Sequence, residues 1–162
     1  MSYTSTLSVF RTTITAALLF MTSLALAQQP GYGTAVNLET AKKVAAGAAL
    51  EAKKNNFKMA IAIVDNHGFP VYFEMLDDTQ TGSANVAIQK ARTAAMFRRP
   101  TKALEDGVAG GRNALLTIPD VVLLEGGEIL VIDGKVVGAI GVSGGSTTQD
   151  GQVARAGAAV IK

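Results

Sequence analysis

The stretch Lys135-Val-Val-Gly-Ala-Ile-Gly-Val-Ser-Gly-Gly-Ser-Thr-Thr-Gln-Asp150 most constrains what this chain can fold into. Val136 to Val142 is a near-continuous, β-branched apolar run, the pattern of a strand buried on both faces. It ends in Gly144-Gly145, and Ser146 with Gln149 three residues on predicts a capped helix start. A strand delivered through glycines into a helix N-terminus leaves backbone N–H groups converging on one spot, which attracts carboxylate or phosphate. The same pattern also serves as a plain strand–helix joint in which glycine fits the turn, and the residues alone leave both readings open.

Two sharper readings of these glycines fail. The dinucleotide fingerprint requires G-x-G-x-x-G early in a βαβ unit, whereas Gly138, Gly141, Gly144 and Gly145 lie near the C-terminus. Gly141-Val-Ser143-Gly-Gly145 matches a nucleophile elbow, but no histidine follows Ser143 to complete a triad.

The first residues predict an export signal. Arg11 is the sole charge before the mostly apolar run Ile14 to Leu26, and Ala25-Leu26-Ala27 gives a small-x-small cleavage pattern with Gln28 as the mature start. The run is short for a membrane span. The expected mature chain is therefore periplasmic or secreted, with no stable membrane insertion after cleavage. Losing residues 1–27 removes one cation and no acid from a chain of net charge +2. That balance argues against a nucleic-acid binder relying on a broad basic field. Cysteine is absent, which excludes disulfides and covalent c-type haem attachment. With one histidine besides, a typical structural zinc site is nearly excluded.

Residues 28–36 read as a flexible lead-in and 37–162 as one domain. Asn37 predicts the cap of a helix to about Lys54, with an alanine stripe for close packing on a sheet. Met59–Val64 and Phe69–Met75 read as a hairpin around Asp65-Asn66-His67-Gly68, and Pro70 makes its second arm an edge strand. Ser83 is expected to cap a helix to about Phe97, stopped by Pro100. Ala84, Ala87, Ile88, Ala91 and Ala95 form one face of that helix; Val86, Lys90, Thr93 and Phe97 form another, suited to a pocket wall or a subunit contact. A lysine there also suits a snorkelling surface position. Lys90, Arg92, Arg98, Arg99 and Lys102 make the chain's basic cluster. Strands at Val121–Leu124, Ile129–Ile132 and Lys135–Val142, with turns at Gly126-Gly127 and Asp133-Gly134, precede a helix from about Thr147 to Ile161. Short turns make neighbouring strands antiparallel, so the class is α+β.

Three segments carry a resemblance. Ser83-x6-Lys90-Ala91-x-Thr93-Ala94-x2-Phe97-x2-Pro100-Thr101 resembles the GlcG/HbpS family. So do Ala62-Ile63-Val64-Asp65-x2-Gly68 and the run from Gly126-Gly127 through Asp133-Gly134 to Gly144-Gly145 and Gln149-Asp150. The likeness covers residues 37–162. It implies a profilin-like domain with a five-stranded antiparallel sheet flanked by helices, homo-oligomers, and members that bind haem.

Two functions of different class follow. An exported haem binder needs an apolar slot, an axial donor and cations for the propionates. His67 is the sole imidazole, with Met75, Met96 and Tyr72 as other donors, and Thr93, Phe97, Arg98 and Arg99 belong to the candidate ligand surface. His67 equally suits a solvated turn. The alternative is a small-carboxylate binder or enzyme in which Ser143, Gly144 and Gly145 hold the anion and Lys90 is charge partner or base. On either reading Lys90 and the glycine loop are expected to border one pocket.

Overall fold

The computed structural model describes residues 29–161. The expected leader, residues 1–27, lies outside the described residues. In chain order the elements are α1 (Leu38–Lys54), β1 (Ala60–Asp65), β2 (Pro70–Met75), α2 (Ser83–Phe97), α3 (Lys102–Ala109), a 3-10 turn (Asn113–Thr117), β3 (Gly127–Ile132), β4 (Lys135–Ser143), α4 (Thr147–Ala158) and a closing 3-10 turn (Ala159–Ile161). The strands form one antiparallel sheet in the order β2-β1-β4-β3.

The α+β class holds, but among the described residues the sheet has four strands where five were expected. Residues 121–124 do not form the extra one, and side chains take up N–H groups in and just after this segment. The Val122 N–H donates to Thr93 Oγ1 at 3.0 Å, and the Glu125 N–H, just past the segment, donates to Glu105 Oε2 at 2.7 Å. Gly126-Gly127 is accordingly the entrance to β3 and not a hairpin turn.

Alternation along the two central strands assigns the layers. Ile61 and Ile63 of β1 and Ile140 and Val142 of β4 pack with the alanine stripe of α1 and with Val153 and Ala154 of α4. On the opposite face Ala60, Ala62, Val64 and Ala139 meet Ala87, Ala91, Ala94 and Ala95 of α2. The first face holds large aliphatics, each worth roughly 1.5–3 kcal/mol on burial. The second gains from proximity: a Cβ at Gly141 would run into the Ala87 carbonyl and the Ala91 nitrogen, so glycine there lets α2 lie on the sheet.

The helix starts are set by different means. Asn37 caps α1 and Ser146 with Gln149 forms the expected capping box on α4. The expected Ser83 cap is replaced by Gly82 at that position, without a side-chain bond, and Ser83 is buried inside the first turn. Thr101 precedes α3 without a side-chain cap bond, and its hydroxyl accepts from the Gly127 N–H at 2.9 Å.

Residues 29–36, expected as part of a flexible lead-in, are tied to the sheet. β1 stops pairing with β4 at Asp65↔Gly138, and the incoming chain takes the place it leaves, with Tyr32 bridging Val136 in parallel. The bonds are Gly33 N–H to Val136 O at 2.9 Å, Val36 N–H to Val137 O at 2.8 Å and Val136 N–H to Gly31 O at 2.8 Å. Among the described residues, no helix is long and apolar enough to cross a membrane.

Candidate functional site

Two regions gather the residues singled out from the sequence. The first lies where β4 runs into α4. Lys90 is 1% exposed, and its Nζ donates to Asp150 Oδ2 at 2.7 Å and to the Val142 carbonyl at 3.2 Å. Lys90 starts on the α2 side of the sheet and Asp150 on the α4 side, so the ion pair joins the two layers past the entrance to β3. Gly126, at φ +127°, makes room: a Cβ there would lie 2.8 Å from Lys90 Nζ and 2.9 Å from Asp150 Cβ. Burial pushes the Asp150 carboxyl above the usual carboxylate range, against Lys90 and the Gly145 and Gly144 N–H groups, which draw it down.

The structure thus brings Lys90 and the Ser143–Gly145 loop together, around an acid to which the sequence reading gave no role. The Gly145 N–H, expected to receive an external anion, donates to Asp150 Oδ1 at 3.0 Å. Ser143 is buried at the end of β4, paired with Ala60. Thr93, read as a pocket-wall residue, is buried and accepts the Val122 bond. Asp150 did leave a signal: it shares a helical stripe with Val153, Ala154, Gly157 and Ala158, all buried.

The second region lies where the β1–β2 turn meets the end of α2. His67 projects from the turn, its side chain 72% exposed. A cleft of about 320 Å³ is lined by Tyr32, Asn66, His67 and Met96. A second, of about 490 Å³, shares His67 and Met96 and adds Gln89, Arg92 and Asp120. Arg92 Nε donates to the Gly68 carbonyl at 3.1 Å, which fastens the turn to α2. The Tyr32 hydroxyl lies 3.1 Å and 3.0 Å from the Ala95 and Met96 carbonyls, and Arg98 stacks 5.3 Å over the Tyr32 ring. Arg98 is the left-handed residue ending α2, at φ +51°, and it also donates to the Pro30 carbonyl. Phe97 is half-buried, and Arg99 Nε donates back to its carbonyl at 3.4 Å. Two acceptors bordering the clefts, Asn66 Oδ1 and Gln89 Oε1, are buried without a hydrogen-bond partner. Such atoms call for a ligand or water.

The remaining donors lie elsewhere. Met75 lines a different cleft, which it shares with the acids Glu74 and Asp77 and the cations Lys53 and Lys58. The Tyr72 hydroxyl is 3.3 Å from Glu74 Oε2, whose charge pushes the phenol up. A cleft of about 460 Å³ between residues 33–40 and the β3–β4 turn has Lys135 but no histidine, methionine or tyrosine in its lining. Of the residues lining the second region, Arg92 belongs to the basic cluster read from the sequence, whereas Tyr32, Asn66 and Gln89 were missed. Gln89 and Arg92 lie three apart on α2, which the Arg92–Gly68 bond fastens to the β1–β2 turn, and Tyr32 joins through the docking of the N-terminal segment on β4.

The fold and these motifs define a member of a known family. A family model described as "Haem degrading protein HbpS-like" matches residues 36–159, and the chain belongs to this HbpS-like family. Protein GlcG of Escherichia coli (strain K12) is 43% identical over 105 residues, covering 65% of this chain and 78% of GlcG. The crystal structure of a double mutant of Streptomyces reticuli HbpS superposes with a TM-score of 0.74 at 34% identity, covering 85% of this chain and 94% of that one. A crystal structure of a PduOC–haem complex gives 0.71 at 30% identity, covering 80% and 96%.

Proposed function

We propose that this protein is an exported haem-binding protein, periplasmic or secreted, that takes haem against the paired clefts at the β1–β2 turn. The observation that carries this reading is that His67 and Met96, remote in sequence, line both of two clefts, one bordered by Tyr32 and the other by Arg92. The donor set suits the group: imidazole nitrogen and thioether sulfur are haem-iron ligands, and clefts of about 320 and 490 Å³ are of the size of cofactor sites. Haem when bound supplies an iron that takes a lone pair. His67 or Met96 would give that pair, Arg92 and Arg98 would meet the propionates, and Tyr32 would lie against the macrocycle. The kinship with a family whose solved relatives include a haem complex supports the same ligand. Because the clefts are open on one side, a homo-oligomer in which a second copy covers the haem belongs to the proposal. The reading is of a binding protein and not of an enzyme.

The small-carboxylate alternative requires an external anion to displace Asp150 from both Lys90 and the Gly145 N–H, and no observation favours that exchange. Haemin titration of the mature protein tests the proposal. A Soret band that shifts and saturates at a fixed ratio supports it; featureless, non-saturating uptake refutes it.

A further inference from the structure

The segment ahead of α1 is held to the body almost entirely by polar groups. No residue from Pro30 to Ala35 is buried, and Tyr32 is 47% exposed. Val36 is the first buried residue among those described; it joins the core and lies over Gly138, where a Cβ would meet it at 2.9 Å. Ahead of that anchor the contacts are hydrogen bonds and one stacked cation. Gly33 donates to the Val136 carbonyl, and Gly31 accepts from the Val136 N–H. The Tyr32 hydroxyl reaches the Ala95 and Met96 carbonyls, while Arg98 stacks on the ring and donates to the Pro30 carbonyl at 3.2 Å. Asn66 Nδ2 donates to the Gly33 carbonyl at 2.6 Å. This last bond strands the other end of the amide, for Asn66 is 8% exposed and its Oδ1 has no partner. A buried acceptor left unpaired penalises the docked position, and lifting the segment would return it to water. Exposed hydrogen bonds with few apolar contacts mark the part of a fold that opens first.

We propose that residues 30–35 form a hinged strap, anchored at Val36, that lifts as a unit and gates the cleft between Tyr32 and His67. Tyr32 and Asn66 line the first cleft and not the second, whereas His67 and Met96 line both. Lifting the strap therefore takes one wall from the first cleft and leaves the lining of the second in place. A ligand enters with the strap raised, and Tyr32 covers it when the strap docks again. The gating of haem rests on the function proposed above, whereas the lifting does not.

Amide exchange in the ligand-free protein, read residue by residue by NMR, tests the lifting. The Gly33 and Val136 amides should open together and be at least about 100-fold less protected than the β1–β4 ladder. Protection equal to that ladder would make the strap a fixed part of the sheet and overturn the proposal. A lock tests the gate. The chain has no cysteine, and a Cβ at Gly33 would lie 2.9 Å from Lys135 Cβ. Gly33→Cys/Lys135→Cys then needs a strap shift of only about 0.6 Å to reach disulfide spacing. In stopped-flow absorbance the oxidised pair should take up haemin at least about 10-fold more slowly than a Gly33→Ser/Lys135→Ser control. Equal rates overturn the gate. If haemin saturates neither the control nor the wild type, the haem function falls and the gating of haem with it, while amide exchange still decides whether the strap lifts.

Discussion

The Lys90–Asp150 locus and the His67–Met96 clefts are both places where polar groups from distant parts of the chain converge, yet they end in opposite states. At the first, lysine, carboxylate, carbonyl and loop N–H satisfy one another in a space that is 1–3% exposed. At the second, a histidine, a thioether and one arginine border open clefts, and two buried amide oxygens lack partners. A glycine loop at a helix N-terminus with a nearby lysine has the chemistry of an anion site in both a receptor and a lock. What separates them is whether the chain supplies the anion. Here Asp150 does, from the first turn of α4.

The largest expected effect breaks the closed side. Lys90→Met or Asp150→Leu leaves one buried charge uncompensated and should cost about 3–5 kcal/mol, read as a fall in the denaturant midpoint. The double change to Met and Leu should recover most of that loss, since a buried pair is often replaceable by apolar side chains. Single variants as stable as wild type would mean that the locus is not a lock.

Next in size is the open side. His67→Ala should lower haemin affinity by more than the roughly tenfold loss typical of a positioning partner, with the melting curve nearly unchanged, because the exposed ring contributes little to packing. Titrations of ligand-free variant and wild type, followed by absorbance, check both statements.

Much of the fold was legible before the structure. The buried β4 run, the capping box at Ser146 and Gln149, the hairpin around Asp65–Gly68 and the Pro70 edge strand all follow from local chemistry that tertiary packing had no reason to override. The fifth strand failed because segment 121–124 is apolar enough to read as a strand while its backbone is engaged by Thr93, and Glu125 next to it by Glu105; side-chain competition of that kind has no periodicity. Residues 29–36 were misread because glycine and proline suggest mobility, whereas the position left by β1 gives them a ladder to join. At the site, Lys90 and the glycine loop were marked, but their relation was taken as open. Reading the buried stripe of α4 through Asp150 would have exposed the partner. Tyr32 and Asn66 gave no such chance, since they meet only through the docking of the N-terminal segment on the sheet edge.

Smaller effects sharpen the comparison further. Arg92→Ala or Arg98→Ala removes a cation at the cleft rim and should weaken haemin binding by about 0.2–1 kcal/mol, a difference that shrinks as salt is raised. The same changes should leave the denaturant response of the Lys90–Asp150 locus untouched.

The smallest effect is in pH. Burial raises the Asp150 carboxyl above the ordinary aspartate value of 3.8, so the folded state holds this proton more tightly than the unfolded chain. Its contribution is therefore full below that value and is lost as pH rises through the folded titration. Asp150→Asn should remove this downward component from the stability–pH curve as pH rises above the ordinary aspartate value, whatever its effect on absolute stability. A curve of the same slope in both proteins would place the carboxyl in a less buried setting than the structure gives it.

The central claim, that the open clefts take the ligand and the closed locus does not, is tested most directly by one haemin titration run on two variants. The Lys90→Met/Asp150→Leu double variant should bind haemin as the wild type does, with the same saturating Soret shift, while His67→Ala should lose it. Retained binding in His67→Ala together with lost binding in a folded double variant would contradict the account.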